Sequence, residues 1–317
     1  MTDYYITKQR PRGDAKQGER GFVIIVVLLI TAILVAVVVE FAYSVYLATA
    51  RAGNFMHGQK ASLLAGRGVE FAGAAIEDLL KKNPNLTIEK DGLLFFQTEG
   101  DMTITIRVVD ELGKLSLRTV YEANGVRNDR VHDEYSRLIK NLDIEGGAGL
   151  LGALADWIDS DDEPRLYGAE SADYRAEYNK PYAPANAYLE SVDDLLMIKG
   201  YDPEIFRLIS PLVSAYNTGG LVNINTAPED ALMALSDDMT EELAKKIKDA
   251  RAISPFRNTS DLMKVSGFEV IGFDLQDKIT VSSDTFRIYS KVTSGDIERQ
   301  AEAVYRIKSG FVYWREM

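Results

Sequence analysis

The sequence predicts an α+β protein in which one long N-terminal hydrophobic helix packs on an antiparallel sheet, with a large, mainly α-helical domain inserted into that sheet. Three observations support this fold class. Residues 21–39 form an almost unbroken apolar run. Strand-like segments lie on both sides of the middle of the chain, near residues 102–109 and 286–292. The chain between them, about 160 residues with mostly helical patterns, has the size of a whole domain.

The apolar run is long enough to cross a membrane. It is interrupted only by Thr31 and approaches the ~20 residues that a helix needs to span a bilayer. The segment before it is basic, and basic flanks remain on the cytoplasmic side. We therefore expect a single-pass membrane protein whose large C-terminal part lies on the far, extracytoplasmic side of the membrane. The basic residues are Lys8, Arg10, Arg12, Lys16 and Arg20.

Three interpretations of this N-terminal region compete. Ala48 and Ala50 have the small-x-small spacing of a signal-peptide cleavage site, although the apolar run is longer than the ~7–15 residues of a signal peptide. An uncleaved anchor is the second interpretation. The third depends on Gly21 and Phe22, which stand between the basic leader and the apolar helix and resemble the cleavage site of type IV prepilins. That resemblance implies cleavage after Gly21 by a prepilin peptidase and N-methylation of Phe22.

One position departs from the prepilin pattern. Prepilins carry a glutamate five residues into the mature chain, where this sequence has Val26. In the family that glutamate neutralises the N-terminal amine of a neighbouring subunit, a charge that is costly in lipid when it is unpaired. Its absence implies a minor subunit at the tip of an assembly, with no neighbour above it.

The predicted chain has four parts. Residues 1–21 are a leader, 22–47 a transmembrane helix and 119–279 the inserted α-helical domain. Residues 48–118 and 280–317 together form a pilin-like α/β domain. The strands expected in its sheet are 93–96, 102–109, 114–118, 286–292 and 302–307.

The insertion contains an internal repeat. Residues 191–201 parallel residues 259–268, and each reads as a short helix that is capped by Ser191 or Thr259 and ended by a glycine. Residues 223–267 also resemble helix-hairpin-helix modules, so the insertion is expected to hold helix-hairpin-helix-like or SAM-like repeats. Asp237 and Asp238 stand where a DNA phosphate would approach, and they would repel it.

An acidic stretch at residues 156–170 is the strongest chemical signal after the membrane helix. Closely spaced oxygen ligands suit Ca²⁺, which takes 6–8 oxygens. Pro164 occupies the position where an EF-hand loop needs glycine, so a looser calcium loop is expected instead. The alternative is a solvated acidic loop in an acidic protein.

Composition argues against several function classes. The net charge of −12 disfavours a nucleic-acid partner, which needs a basic face. The sequence has no cysteine, which excludes disulfides and thiolate chemistry. His57 and His132 read as surface residues, and no hydrolase, zinc-protease or P-loop motif is present, so we do not expect an enzyme.

Taken together, the motifs resemble the general secretion pathway protein K family, the large minor pseudopilins of type II secretion systems. The resemblance rests on residues 156–162 and 168–170, on 223–227 and on the terminal residues 314–316. It implies a non-enzymatic tip subunit that initiates a periplasmic pseudopilus with the I and J minor pseudopilins for export of folded proteins across the outer membrane. It also implies Ca²⁺ in the inserted domain. The alternative is a minor subunit of a type IV pilus-like adhesion or DNA-uptake machine. The calcium ligands that the resemblance implies are Asp159, Asp161, Asp162, Glu170 and Asp173.

Overall fold

The structure, a computed structural model, describes residues 17–83, 88, 92–176 and 182–317. Most of the predicted leader, residues 1–16, lies outside the described residues. The chain divides between Gln59 and Lys60 into two units, which are described separately. The helices are α1 (Gln17–Lys82), α2 (Asp129–Asn141), α3 (Gly147–Ile158), α4 (Ser171–Ala176), α5 (Pro203–Ile209), α6 (Glu229–Met233), α7 (Glu241–Ile253) and α8 (Ile271–Asp274), with 3₁₀ helices at Val192–Met197 and Thr259–Lys264.

The first unit is the N-terminal part of α1. Among the described residues, α1 is the one helix long and apolar enough to cross a membrane. Its large apolar side chains are open to the surroundings, with Phe22 69% exposed and Val39 61% exposed. An exposed apolar surface of this length suits lipid rather than water. The predicted transmembrane segment, residues 22–47, lies wholly inside this helix.

The second unit begins with the last turns of α1, whose inner face packs on a five-stranded antiparallel sheet. Ala61, Ala65, Val69, Ala72 and Ile76 are fully or almost fully buried and recur every three or four residues, the spacing of one helix face. The strands are β1 (Leu93–Glu99), β2 (Met102–Asp110), β3 (Leu115–Ser116), β4 (Val213–Ser214), β5 (Val222–Asn223), β6 (Ile279–Thr280), β7 (Thr285–Ser294), β8 (Ile297–Arg306) and β9 (Gly310–Glu316).

The order of strands in the main sheet is β1-β2-β7-β8-β9. All four pairings are antiparallel, and Ile106 of β2 lies between Phe95 of β1 and Ser290 of β7. The two central strands, β2 and β7, are therefore separated in sequence by the whole insertion. A long N-terminal apolar helix and an antiparallel sheet are thus confirmed. Three of the five predicted strands lie within β1, β2 and β7, and a fourth, residues 302–307, overlaps β8 and extends one residue beyond its end.

The fifth predicted strand, residues 114–118, belongs elsewhere. Only Leu115–Ser116 is extended there, and it pairs in parallel with Val213–Ser214 of the insertion. Leu117 is fully buried in the core of the insertion. Likewise Ile279–Thr280 pairs in parallel with Val222–Asn223. The main sheet therefore stops at Asp110 instead of at residue 118, and it resumes at Thr285.

The main sheet also contains a strand that the sequence analysis missed. Gly310–Glu316 pairs antiparallel with β8 and forms one edge of the sheet. The ring of Phe311 in this strand contacts the rings of Tyr305 in β8 and Trp314 in β9 at centroid distances of 5.0 and 5.3 Å.

The predicted repeat in the insertion has a structural counterpart. Both copies are 3₁₀ helices that begin with a capping box, and in each a glycine with positive φ follows three residues later, Gly200 or Gly267. Ser191 caps the first copy as predicted. The second is capped by Asn258 rather than Thr259: the helix begins at Thr259, and the backbone N–H of Asn258 donates to Oδ2 of Asp261 at 2.9 Å.

A charged network joins the insertion to the sheet. Arg287 of β7 donates from Nε to Glu111 at 2.8 Å and from Nη1 to Glu302. Glu111 also accepts from Lys114 at 2.9 Å and from the hydroxyl of Ser214 in the insertion. On the far side of Glu302, Arg315 donates to Glu302 at 3.1 Å and to Asp193 of the insertion at 3.0 Å. We call Lys114, Glu111, Arg287, Glu302, Arg315 and Asp193 the junction network.

The pH dependence of stability has an identifiable source in α2. Glu134 is buried; its Oε1 accepts from Arg130 at 3.0 Å, and its Oε2 has no hydrogen-bond partner among the described residues. Burial raises the pKa of Glu134 to about 7, against the opposing effect of Arg130. Because the folded state binds this proton more tightly than the unfolded state, stability is lost as the pH rises from about 4.5 to about 7.

We expect Glu134→Gln to remove this loss, which is roughly 3 kcal/mol for a shift of this size. The variant should melt at a higher temperature than the wild type at pH 8 and close to it at pH 5. Thermal melts across this range provide the measurement, with the exposed Glu241→Gln as control. An equal pH slope in both variants would contradict the assignment.

Candidate metal centre

The centre begins at the C-terminal end of α3. This helix is almost entirely buried, and it ends with two fully buried carboxylates, Asp156 in its last turn and Asp159 at its C-cap. The C-terminal end of a helix carries partial negative charge, which disfavours carboxylates there. Two buried acids at this place therefore need positive charge nearby.

Three carboxylates converge just beyond this helix end. Asp159, Asp161 and Glu170 each offer an oxygen atom, and these atoms all lie within 4.8 Å of one another. Asp159 and Glu170 are buried, whereas Asp161 is exposed. The loop that leaves α3 and returns to α4 brings them together. Three convergent carboxylates with one side open to solvent can hold a hard cation.

Three buried oxygens of this cluster have no hydrogen-bond partner among the described residues. Oδ1 of Asp159 and both carboxylate oxygens of Glu170 accept no hydrogen bond from the described residues. Burial, together with the charges of the neighbouring aspartates, raises the pKa of Glu170 to about 8. Buried carboxylate oxygens without donors are costly unless a cation binds them. The donor set therefore fits Ca²⁺, which prefers oxygen ligands of this kind.

Arg165 is a basic residue within the acidic loop, and the sequence analysis did not single it out. Its Nη1 donates to Asp156 Oδ1 at 3.0 Å and to Oδ2 of Asp159, and its Nη2 donates to the carbonyl oxygen of Gly125 at 3.2 Å. Its backbone N–H also donates to Asp156. Burial raises the pKa of Asp156, and Arg165 opposes that change. The signal for Arg165 in the sequence is that it is the lone basic residue of the segment 156–170.

The other two predicted ligands have different contacts. Asp162 Oδ1 accepts from the backbone N–H of Ser171 at 3.2 Å, and Asp173 Oδ2 accepts from that of Glu170 at 2.9 Å. Both therefore hold the start of α4 and the backbone of Glu170. The structure brings together three of the five predicted ligands, and a ligand role for Asp162 and Asp173 stays a prediction.

The predicted processing site lies at the other end of the chain. Gly21 and Phe22 are exposed residues within α1, and Val26 lies four residues further along the same helix, partly exposed.

Two family models match the inserted domain of this chain. Residues 113–218 match a family model for the type II secretion system (T2SS), protein K, and residues 222–282 match a second model with the same description. Together the two matches cover more than half of the chain. This chain belongs to the type II secretion system protein K family. The predicted family and the predicted role as a minor pseudopilin are confirmed.

Relatives of the protein K family match along most of this chain. The type II secretion system protein K of Pseudomonas aeruginosa is 27% identical over 89% of this chain and 86% of its own length. That of Aeromonas hydrophila is 25% identical over 92% of this chain and 93% of its own. A solved structure of the GspK-GspI-GspJ complex from the enterotoxigenic Escherichia coli type 2 secretion system contains a chain with the same fold. The TM-score is 0.71 at 18% identity, covering 84% of this chain and 99% of that chain.

Proposed function

We propose that this protein K is the tip subunit of the pseudopilus and initiates its assembly together with I and J minor pseudopilins. The observation that carries the tip position is Val26, which cannot neutralise the amine of a neighbour above it. The similar fold of a chain in the GspK-GspI-GspJ complex supports the choice of partners. The family match favours secretion over the alternative of an adhesion or DNA-uptake pilus. The family is a secretion family rather than an enzyme family, and we propose no catalytic role.

We further propose that a prepilin peptidase cuts after Gly21, that Phe22 becomes N-methylated, and that α1 then anchors the protein in the inner membrane with residues 60–317 in the periplasm. The exposed apolar surface of the N-terminal part of α1 supports an anchor. Cleavage at this point leaves the whole apolar segment on the mature chain.

The processing proposal has a direct test in the N-terminal residue. Mass spectrometry of the protein extracted from membranes is expected to find N-methylated Phe22 as the first residue. A Gly21→Leu variant, in which a branched side chain blocks the site, should retain its leader. An N-terminus after Ala50 would mean a cleaved signal peptide, and an intact Met1 in the wild type would mean a simple anchor.

We propose that Ca²⁺ binds at Asp159, Asp161 and Glu170, with Asp162 and Asp173 as further ligands. Three buried carboxylate oxygens to which no described residue donates a hydrogen bond support this site. Bound calcium would neutralise these charges and fix the loop between α3 and α4, which has little apolar content of its own. Its role is therefore structural.

The paired 3₁₀ helices support the finer assignment of helix-hairpin-helix-like or SAM-like repeats. We propose that this part of the insertion contacts protein rather than nucleic acid. Asp237 lies at the connection between α6 and α7, where its side chain is 82% exposed although it pairs with Arg137 at 3.2 Å. An exposed carboxylate at this place disfavours phosphate.

A further inference from the structure

Arg165 lies in a shell of oxygen atoms of the kind that binds metal ions. Its guanidinium contacts two carboxylate oxygens, from Asp156 and Asp159, and the backbone carbonyl oxygen of Gly125. Carboxylates and backbone carbonyls are the ligands that Ca²⁺ takes in proteins. The guanidinium therefore fills a position where oxygen atoms would otherwise surround a cation.

Asp159 connects this position to the proposed calcium site. Its Oδ2 accepts from Arg165, whereas its Oδ1 is buried, has no partner in the described part of the chain and belongs to the cluster with Asp161 and Glu170. One carboxylate thus faces two neighbouring cation positions. The Arg165 side chain fills one of these positions, and the oxygens that have no partner among the described residues mark the other.

The surrounding backbone keeps the guanidinium in place. A Cβ atom at Gly125 would collide with Arg165 Nη2, and one at Gly168 would collide with the carboxylate of Asp156. The glycines at these two positions leave the room that the ion pairs need. The backbone N–H of Arg165 donates to Asp156 as well, at 3.1 Å to Oδ2, so the residue holds Asp156 by two groups.

We infer that Arg165 is a built-in cation that occupies the second cation position of the acidic cluster and so limits this site to one divalent ion. The inference rests on the proposed calcium site. Arg165 supplies permanent positive charge at the C-terminal end of α3, where Asp156 and Asp159 need it. The bound Ca²⁺ then has to neutralise only the charge at Oδ1 of Asp159 and the charges of Asp161 and Glu170.

The test is the number of calcium ions bound by the full-length protein in detergent micelles, measured by titration calorimetry and by metal analysis after equilibrium dialysis. The wild type is expected to bind one ion at this site. Arg165→Met frees Asp156, the second oxygen of Asp159 and the Gly125 carbonyl, so this variant is expected to bind two. Arg165→Lys retains a positive charge and should bind one.

Two further variants separate this effect from simple loss of charge. Arg175→Met removes the same charge from the exposed surface of α4 without freeing any carboxylate of the cluster, and it should still bind one ion. Adding Asp156→Asn to Arg165→Met removes a carboxylate of the new site and should return the count to one. These outcomes would assign the second ion to the oxygens that Arg165 now covers.

A folded Arg165→Met variant that binds a single ion would overturn the inference. If this variant does not fold even in millimolar calcium, the number of calcium ions bound by the wild type tests the inference instead. One ion at saturation then supports the inference, and two ions overturn it. A wild-type protein that binds no calcium would overturn the proposed site itself, a result distinct from either of these counts.

Discussion

Removing calcium from the full-length protein is expected to lower the free energy of unfolding of the unit formed by residues 60–317 by several kcal/mol. Binding to the folded form alone stabilises a protein by about 4 kcal/mol when the free ion is at a thousand times its Kd. The physical source is the two carboxylate oxygens of Glu170 and Oδ1 of Asp159, which are buried and have no hydrogen-bond partner among the described residues. Thermal melts in excess calcium and in excess chelator measure the difference.

For the Glu170→Gln variant, the change in melting temperature relative to the wild type is expected to have opposite signs in calcium and in chelator. In calcium the variant should melt below the wild type, because it lacks a charged ligand. In chelator at pH 8.5 it should melt above the wild type, because the folded wild type then holds an ionised Glu170 whose pKa has been raised to about 8. The exposed Glu163→Gln in the same loop is the matched control and should respond to calcium like the wild type. An unchanged melt in chelator, starting from protein shown to contain metal, would count against the site.

Arg287→Met is expected to cost about 3–5 kcal/mol, the range for breaking a buried ion pair by removing one partner. Glu111 is fully buried, and although burial alone would raise its pKa, Lys114 and Arg287 lower it to about 2. Without Arg287, both Glu111 and Glu302 lose their central partner. Because the junction network links the sheet to the insertion, the loss should weaken the contact between these two parts.

Urea unfolding of the full chain in detergent micelles measures this cost. Lys291→Met removes an exposed ion pair with Glu298 from the same strand and should cost less than about 1 kcal/mol. A double variant with Glu111→Gln and Arg287→Met should recover part of the loss, because one of the uncompensated buried charges is gone. Equal effects of Arg287→Met and Lys291→Met would show that the junction network does not stabilise the fold.

Local sequence patterns predicted the helices and strands of this fold better than they predicted which strands pair with one another. The apolar run and the alternation in residues 102–109 specify a helix and a half-buried strand without reference to the rest of the chain. The alternation at Leu115–Ser116 is just as clear, but its partner, Val213–Ser214, lies far away in sequence, and no local pattern encodes a two-residue parallel pairing. The edge strand β9 was missed because Phe311 and Val312 are adjacent apolar residues and break the alternation.

Prediction of the metal centre from the sequence was limited in the same way, because contacts between distant parts of the chain have no local pattern. Asp159, Asp161 and Glu170, which the sequence analysis proposed as ligands, have carboxylate oxygens within 4.8 Å of one another. Spacing within the acidic loop could not distinguish the capping contacts of Asp162 and Asp173 from metal ligands, because both uses require a carboxylate beside a helix start. Nor could it locate Arg165, whose role depends on the approach of Gly125 from a turn 40 residues earlier in the chain.

The central claim, that this protein K occupies the tip of the pseudopilus, has a direct test in its position along assembled filaments. The natural chain has no cysteine, so one introduced at the exposed Ser254 gives a single labelling site. After biotinylation and gold labelling of cells that assemble long pseudopili, electron microscopy is expected to show label at one end of each filament. Label distributed along the filaments would contradict the tip position and the account based on Val26.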